Sequence, residues 1–167
     1  MHIRSEAVMD HEAIRAIHIA AFADHPFSKQ TEHRIVDGLR EADALTVSLV
    51  AEQNGQVVGH VAFSPAFVNG ESCAMYALGP IGVLPPFQRQ GIGSRLVEAG
   101  LAALRGLDAS ACVLVGDPAY YSRFGFRSDP ALTMEGVPQE VLLCLTLAAA
   151  PPAGSVTHHE AFSIGLH

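Results

Sequence analysis

A chain of 167 residues, 49% hydrophobic and 16% charged, is long enough for one domain with a full core and argues against disorder as its main state. Seventeen acidic side chains against ten basic ones leave a net charge of -7. That balance argues against non-specific nucleic-acid binding, which needs a cationic surface.

The elements follow in chain order. Residues 2–7 read as a short strand. Asp10 then caps a helix whose Ala13, Ile14, Ile17, Ala21 and Phe22 share one face. Asp24-His25-Pro26-Phe27-Ser28 breaks it. A second helix over 29–41 turns Ile35, Val36 and Leu39 inward. The period then shortens to that of strands over 47–52, 57–68 and 73–84. Asn54-Gly55 and Asn69-Gly70 sit at the two bends between them, and both are type I′ hairpin signals. Pro85-Pro86 ends the third strand. Residues 91–106 read as a helix, and the apolar run 111–115 as a strand covered on both faces. A short helix over 119–124 is stopped by Gly125, a last strand covers 141–147, and Pro151-Pro152 opens a polar tail. The order is β-α-α-β-β-β-α-β-α-β, an α/β fold with a mixed sheet. Its strand-helix-strand step from Cys73 to Val115 should be a parallel crossover. The expected division is a domain over 1–150 and a tail over 151–167, whose Ala161-Phe162 could dock on the sheet of the same domain or close its cleft.

Cys73, Cys112 and Cys144 are too few and too scattered for a disulfide framework and suit a reducing compartment. Neither a signal peptide nor roughly 18 uninterrupted apolar residues appear, so a cytoplasmic chain with no membrane partner is expected. Nine histidines include no His-Glu-x-x-His pattern. His11, His18 and His25 recur every seven residues but should not converge, so no metal site is expected.

The most informative stretch runs from Val83 to Ser94: a strand, a loop with Gly91 and Gly93, then a long helix. A helix start carries unpaired backbone N–H groups and partial positive charge, and glycine lets an anion approach closely. This is a phosphate cradle without lysine. A Walker loop is excluded because no Gly-Lys-Ser/Thr is present. A dinucleotide fingerprint is excluded because Leu96 stands where a third glycine belongs.

Gln88-x-x-Gly91-x-Gly93 resembles the Arg/Gln-x-x-Gly-x-Gly/Ala signature of the GNAT superfamily of acyl-CoA-dependent N-acetyltransferases. Leu78-Gly79-Pro80-Ile81-Gly82-Val83 and the stretch from Gly116 to Phe126 are similar to a bacterial subgroup of it. The resemblance implies a GNAT fold over residues 1–150, with acetyl-CoA as co-substrate and an amine as acceptor. It implies that the backbone of Ile81 and Val83 pairs with the pantetheine arm. Main-chain N–H groups of Gln88, Arg89, Gln90, Gly91, Ile92, Gly93 and Ser94 would hold the pyrophosphate, with Arg89 and Arg95 as candidates for pairing with CoA phosphates. The fourth and fifth strands would splay near Val83 and Val115. Tyr121 would sit near the thioester sulfur as the catalytic hydroxyl, and Tyr120 beside it is expected to pack in the core. Gly79 and Pro80 occupy places where many relatives carry an acidic residue. The general base is therefore open between Glu71, Asp117, His60 and a water chain.

The expected function is transfer of acetyl from acetyl-CoA to a primary amine by direct attack, with no covalent role for Cys112. The acidity of the chain points to a cationic acceptor. The alternative is a non-catalytic acyl-CoA-binding module of the same fold. A homodimer is left open, as are two roles for Phe27, at the border of the acceptor site or as a staple for its loop.

Overall fold

The computed structural model describes residues 1–163. A nine-stranded sheet runs through the molecule. Strands β1 (His2–Ser5), β2 (Val47–Gln53), β3 (Gln56–Val68) and β4 (Glu71–Val83) are successive antiparallel neighbours. Their bends follow the turn chemistry: Asn54 and Gly55 have φ 53° and 79°, Asn69 and Gly70 have 52° and 78°. Two consecutive positive φ values define the I′ turn and match the twist of the paired strands.

Helix α3 (Ile92–Gly106) carries the chain across to β5 (Ala111–Val115), which joins β4 in parallel as expected. Short helix α4 (Pro118–Tyr121) and a single tight turn to Phe124 follow, and Gly125 ends them at φ 97°. Strands β6 (Arg127–Ser128), β7 (Leu132–Thr133) and β8 (Leu142–Thr146) lead to β9 (Gly154–His158). β8 pairs antiparallel with β5 and β6; β9 pairs with β3 and β7. The segment after Pro152 therefore belongs to the sheet as far as it is described; residues 164–167 of the expected tail lie outside the described residues.

Helices cover both faces. α3 packs on one, where Leu96, Val97, Leu101 and Leu104 meet Val61, Phe63 and Cys112. α1 (His11–Phe22) and α2 (Glu32–Glu41) cover the other, with Ile14 and Val36 on Val50. Ile35 and Leu39 close against Ala161 and Phe162. Asp10 does not cap α1 through its side chain. It is buried, and its carboxylate accepts from Ala7 N–H (2.6 Å) and from Arg4 (2.7 and 3.1 Å). The cation draws it inward and holds β1 to the helix entry, which keeps the carboxyl ionised below its usual range despite burial.

Two close approaches depend on glycine. Gly82 on β4 lies under α1, where a Cβ would come within 3.1 Å of His18 Nδ1. Gly100 lies where α3 crosses β3, and a Cβ there would stand 2.2 Å from the Phe63 ring, which is wholly buried. Gly100→Ala should cost roughly 1–3 kcal/mol in urea unfolding, because a packed ring has nowhere to move. An unchanged midpoint would show that the ring relocates freely.

Candidate active site

The ladder between β4 and β5 contains only three pairs, Met75 with Ala111, Tyr76 with Cys112 and Ala77 with Val113. Beyond them the strands diverge, while β4 stays paired to β3 through Val61–Ile81, His60–Gly82 and Gly59–Val83. Leu84 N–H continues that ladder by donating to Val58 O (2.9 Å). Backbone groups alternate sides along an antiparallel strand. Gly82 and Leu84 therefore face β3, and the backbone of Ile81 and Val83 faces the gap. Val83 O already accepts from Gln88 Nε2 (2.9 Å), which leaves the Ile81 groups and the Val83 N–H open.

One end of the gap is a cavity of about 400 Å³ lined by Val83, Gln88, Arg89, Gly91, Ile92, Gly93, Ser94, Tyr120 and Arg123. Gly91 caps α3 in the left-handed conformation, φ 82°. The first bond of the helix runs from Arg95 N–H to Gly91 O (3.1 Å), so the N–H groups of Ile92, Gly93 and Ser94 have no partner within it. Gln88 N–H differs, since it donates to Pro85 O (3.3 Å) and closes the preceding turn. Gln88 joins the site through its side chain. Gln90 Nε2 donates to Pro86 O (3.4 Å) beside it. Arg89 reaches the cavity from a left-handed residue, φ 63°, whereas Arg95 is exposed and lines neither cavity.

Tyr120 corrects the sequence reading. It is half-buried, bonded through its hydroxyl to Ser94 Oγ (3.1 Å), and covered by the Arg123 guanidinium 4.3 Å above its ring. The two aromatic neighbours divide the site: Tyr120 faces the helix start, and Tyr121 packs against the main core. A one-residue step rotates a side chain by about 100° on a helix, and the sequence did not show which of the two would turn inward.

The other end is a cavity of about 520 Å³. Leu78 to Ile81 of β4, Leu114 to Asp117 and Tyr121 form one wall; Phe22, His25, Glu32 and Ile35 form another; His158 and Phe162 close it. Burial pushes the Tyr121 hydroxyl up to about 12, so it holds its proton and donates at neutral pH. Gly116 makes room for that ring: a Cβ there would be 2.7 Å from it.

The candidate bases separate cleanly. Asp117 lines the cavity and also accepts from Ala119 N–H (2.9 Å) as the cap of α4. Glu71 sits at the far end of β4, seven residues before Leu78, roughly 20 Å along a strand. His60 is wholly buried on the α1 face. Its Nε2 contacts Ser48 Oγ (2.8 Å), its Nδ1 contacts His18 Nε2 (2.8 Å), and Ser48 donates to Glu6. That hydroxyl's one hydrogen goes to the carboxylate, so Ser48 must accept from His60, and His60 in turn from His18. Both His60 nitrogens are committed, and the ring has no path to the cavity. His11 pairs with Glu6 (3.0 Å) and His25 lines the cavity, so the three histidines at seven-residue spacing go to three different places. Phe27 is 89% exposed and does not line the cavity; its ring stands edge-on to that of His25, centroids 6.2 Å apart. Burial pushes both the Cys112 and Cys144 thiols up, Cys144 to about 11, which keeps them protonated and unreactive. The sequence reading missed Arg123, Glu32, His25 and His158, all distant in sequence or set by packing.

This divided strand pair, with a helix start at one end and an apolar cavity at the other, is the architecture of the GNAT acetyltransferases, and the chain belongs to that family. The Acetyltransferase (GNAT) domain model matches residues 45–128. The N-acetyltransferase YhbS of Escherichia coli strain K12 is 40% identical over 128 residues, 76% of this chain and 74% of that protein. Among solved structures, a GNAT family acetyltransferase from Brucella melitensis in complex with acetyl-CoA is 46% identical. It superposes with a TM-score of 0.87 over 96% of this chain and 97% of its own. YhbS in complex with CoA gives 0.88 at 34% identity, over 98% and 92%. The chain is therefore an N-acetyltransferase. No helix among the described residues is long and apolar enough to cross a membrane.

Burial lowers the His18 pKa from 6.5 to about 3 and takes His60 well down too. The unfolded chain binds a proton below about 6.5 that the folded chain refuses until much lower. The stability contribution is complete above that value and is lost as pH falls towards 3. Between pH 7 and 5 the free energy of unfolding should drop by roughly 2 kcal/mol from His18 alone, and by more than that with His60 included, measured by urea titration. A pH-independent midpoint would mean that the pair is solvated.

Proposed function

We propose that the protein transfers the acetyl group of acetyl-CoA to a cationic primary amine by direct attack, and that the two cavities divide the work. The single observation that carries this reading is the early end of the β4–β5 ladder, which leaves backbone groups of Ile81 and Val83 unpaired between a helix start and a second, largely apolar cavity. Acetyl-CoA is consumed as a substrate. The solved relatives from Brucella melitensis and Escherichia coli that hold acetyl-CoA and CoA support this choice.

The pyrophosphate fits the Ile92, Gly93 and Ser94 N–H groups, where helix dipole and unpaired donors favour an anion. Arg89, with Arg123 over Tyr120, adds positive charge at the mouth. The pantetheine arm pairs with β4 at Ile81 and Val83 as an added strand. That alignment delivers the thioester to the narrow part of the gap beside Tyr121. An amine must shed a proton before it can attack, because an ammonium has no lone pair. As the C–N bond forms, the carbonyl oxygen becomes an oxyanion that the Ile81 N–H stabilises. The C–S bond then breaks with its electron pair on sulfur, and the Tyr121 hydroxyl donates to the thiolate.

The charge of the larger cavity supports a cationic acceptor. Its lining holds the carboxylates of Glu32 and Asp117 and neither lysine nor arginine. Its remaining surface is largely aliphatic and aromatic.

The test is acetyl-CoA consumption against a panel of arylalkylamines, polyamines, amino acids and peptides. Turnover of cationic amines is expected. Binding of acetyl-CoA with turnover of none would indicate a non-catalytic acyl-CoA-binding module instead. Tyr121→Phe should lower kcat by about 10- to 100-fold with acetyl-CoA affinity unchanged; equal loss of both would remove the catalytic assignment. Gly91→Glu combines a strained left-handed residue with a negative charge in the cradle, so acetyl-CoA affinity should fall more than about tenfold. Unaltered affinity would show that the anion binds elsewhere.

A further inference from the structure

We propose that His158, delivered by the C-terminal segment, is a catalytic residue of the transfer and takes the proton from the attacking amine nitrogen. This rests on the larger cavity being the acceptor site. The matched family domain ends at residue 128, so the segment that carries His158 lies beyond it.

The segment is built into the fold. β9 pairs with β3, placing His158 opposite Ala66, and continues into a turn whose Ala161 and Phe162 pack on Ile35 and Leu39 of α2. The His158 ring stacks on Phe162 with centroids 4.2 Å apart and planes 14° from parallel. An imidazole fixed by a strand on one side and a ring on the other is held in one orientation.

The other proton acceptors around the cavity each already accept a hydrogen bond from the protein, and His158 differs from them in accepting none among the described residues. Glu32 receives the Ser28 hydroxyl at 2.7 and 2.8 Å, Asp117 caps α4, and His25 Nδ1 accepts from Phe27 N–H (3.3 Å). Tyr121 is a donor. His158 forms no side-chain hydrogen bond among the described residues, whereas adjacent His159 spends its Nδ1 on Ala161 N–H (3.1 Å). Among the described residues, the titratable groups facing the cavity beside His158 are His25 and Glu32 from the α1–α2 side, and Asp117 and Tyr121 from the β5–α4 side. β4 contributes none. Burial lowers the His158 pKa to about 4, so its lone pair is available at neutral pH.

The step balances as follows. The bound ammonium releases one proton to solvent. The amine lone pair forms the C–N bond, the nitrogen becomes positive and more acidic, and its proton moves to His158. Collapse of the oxyanion breaks the C–S bond, the thiolate takes the Tyr121 proton, and His158 and Tyr121 return to their starting states by exchange with solvent. The net reaction is amine plus thioester to amide plus thiol.

The experiment uses the full chain and the best amine of the panel. His158→Ala should lower kcat by about a hundredfold with acetyl-CoA affinity unchanged, and added imidazole should restore at least about tenfold after correction for the uncatalysed reaction. His158→Phe keeps the stack on Phe162 and fills the space, so it should be equally slow and not be rescued. If His158→Phe does not fold, imidazole rescue of His158→Ala decides. A variant within about threefold of the parent, or a loss in His158→Ala that imidazole does not relieve, overturns the assignment while leaving the acceptor site intact. If the parent turns over no amine, the acceptor reading fails and the proposal falls with it.

Discussion

Strands β4 and β5 part after three paired residues, and a gap in a sheet leaves backbone donors and acceptors that must find partners elsewhere. The rest of the site is arranged around that demand. β3 stays paired with β4 along the gap at Ile81, Gly82 and Val83, Gln88 satisfies the Val83 carbonyl, and Leu84 continues the ladder to Val58. What stays open is a short run of backbone at Ile81 and Val83, which suits an extended amide-bearing chain better than any side chain could.

The two ends of the gap have opposite electrostatics. At the α3 end, unpaired N–H groups, a helix dipole and two arginines meet in a chain whose net charge is -7. A global sum does not report a local field, and aligned backbone dipoles need no cationic side chain. At the other end, Glu32 and Asp117 face a largely apolar space with no balancing cation. An anionic donor, and the cationic acceptor proposed above, would each meet a field of opposite sign to its own charge from opposite sides of one opening.

Much of this was legible in the sequence because it rests on local chemistry. Asn-Gly pairs dictate I′ turns, Pro85 and Pro86 end a strand, and glycines at 91 and 93 mark a helix start open to an anion. What was not legible depends on distant packing. His60 looked available on a strand, yet α1 covers it and His18 takes one nitrogen. Tyr120 and Tyr121 are neighbours, and only the packing of α4 decides which one faces the helix start. The segment after Pro152 read as a tail because its partner, β3, lies some 90 residues earlier; β9 pairs with Ala66, Phe67 and Val68. Asp10 read as a cap until Arg4 claimed it from the neighbouring strand.

In the proposed reaction the unpaired backbone of β4 is the surface that receives the donor. Amide hydrogen exchange with and without acetyl-CoA measures this residue by residue. Slowed exchange at Ile81 and Val83, together with Gly93 and Ser94, is the predicted result. Binding that leaves those amides exchanging at their free rates would contradict it.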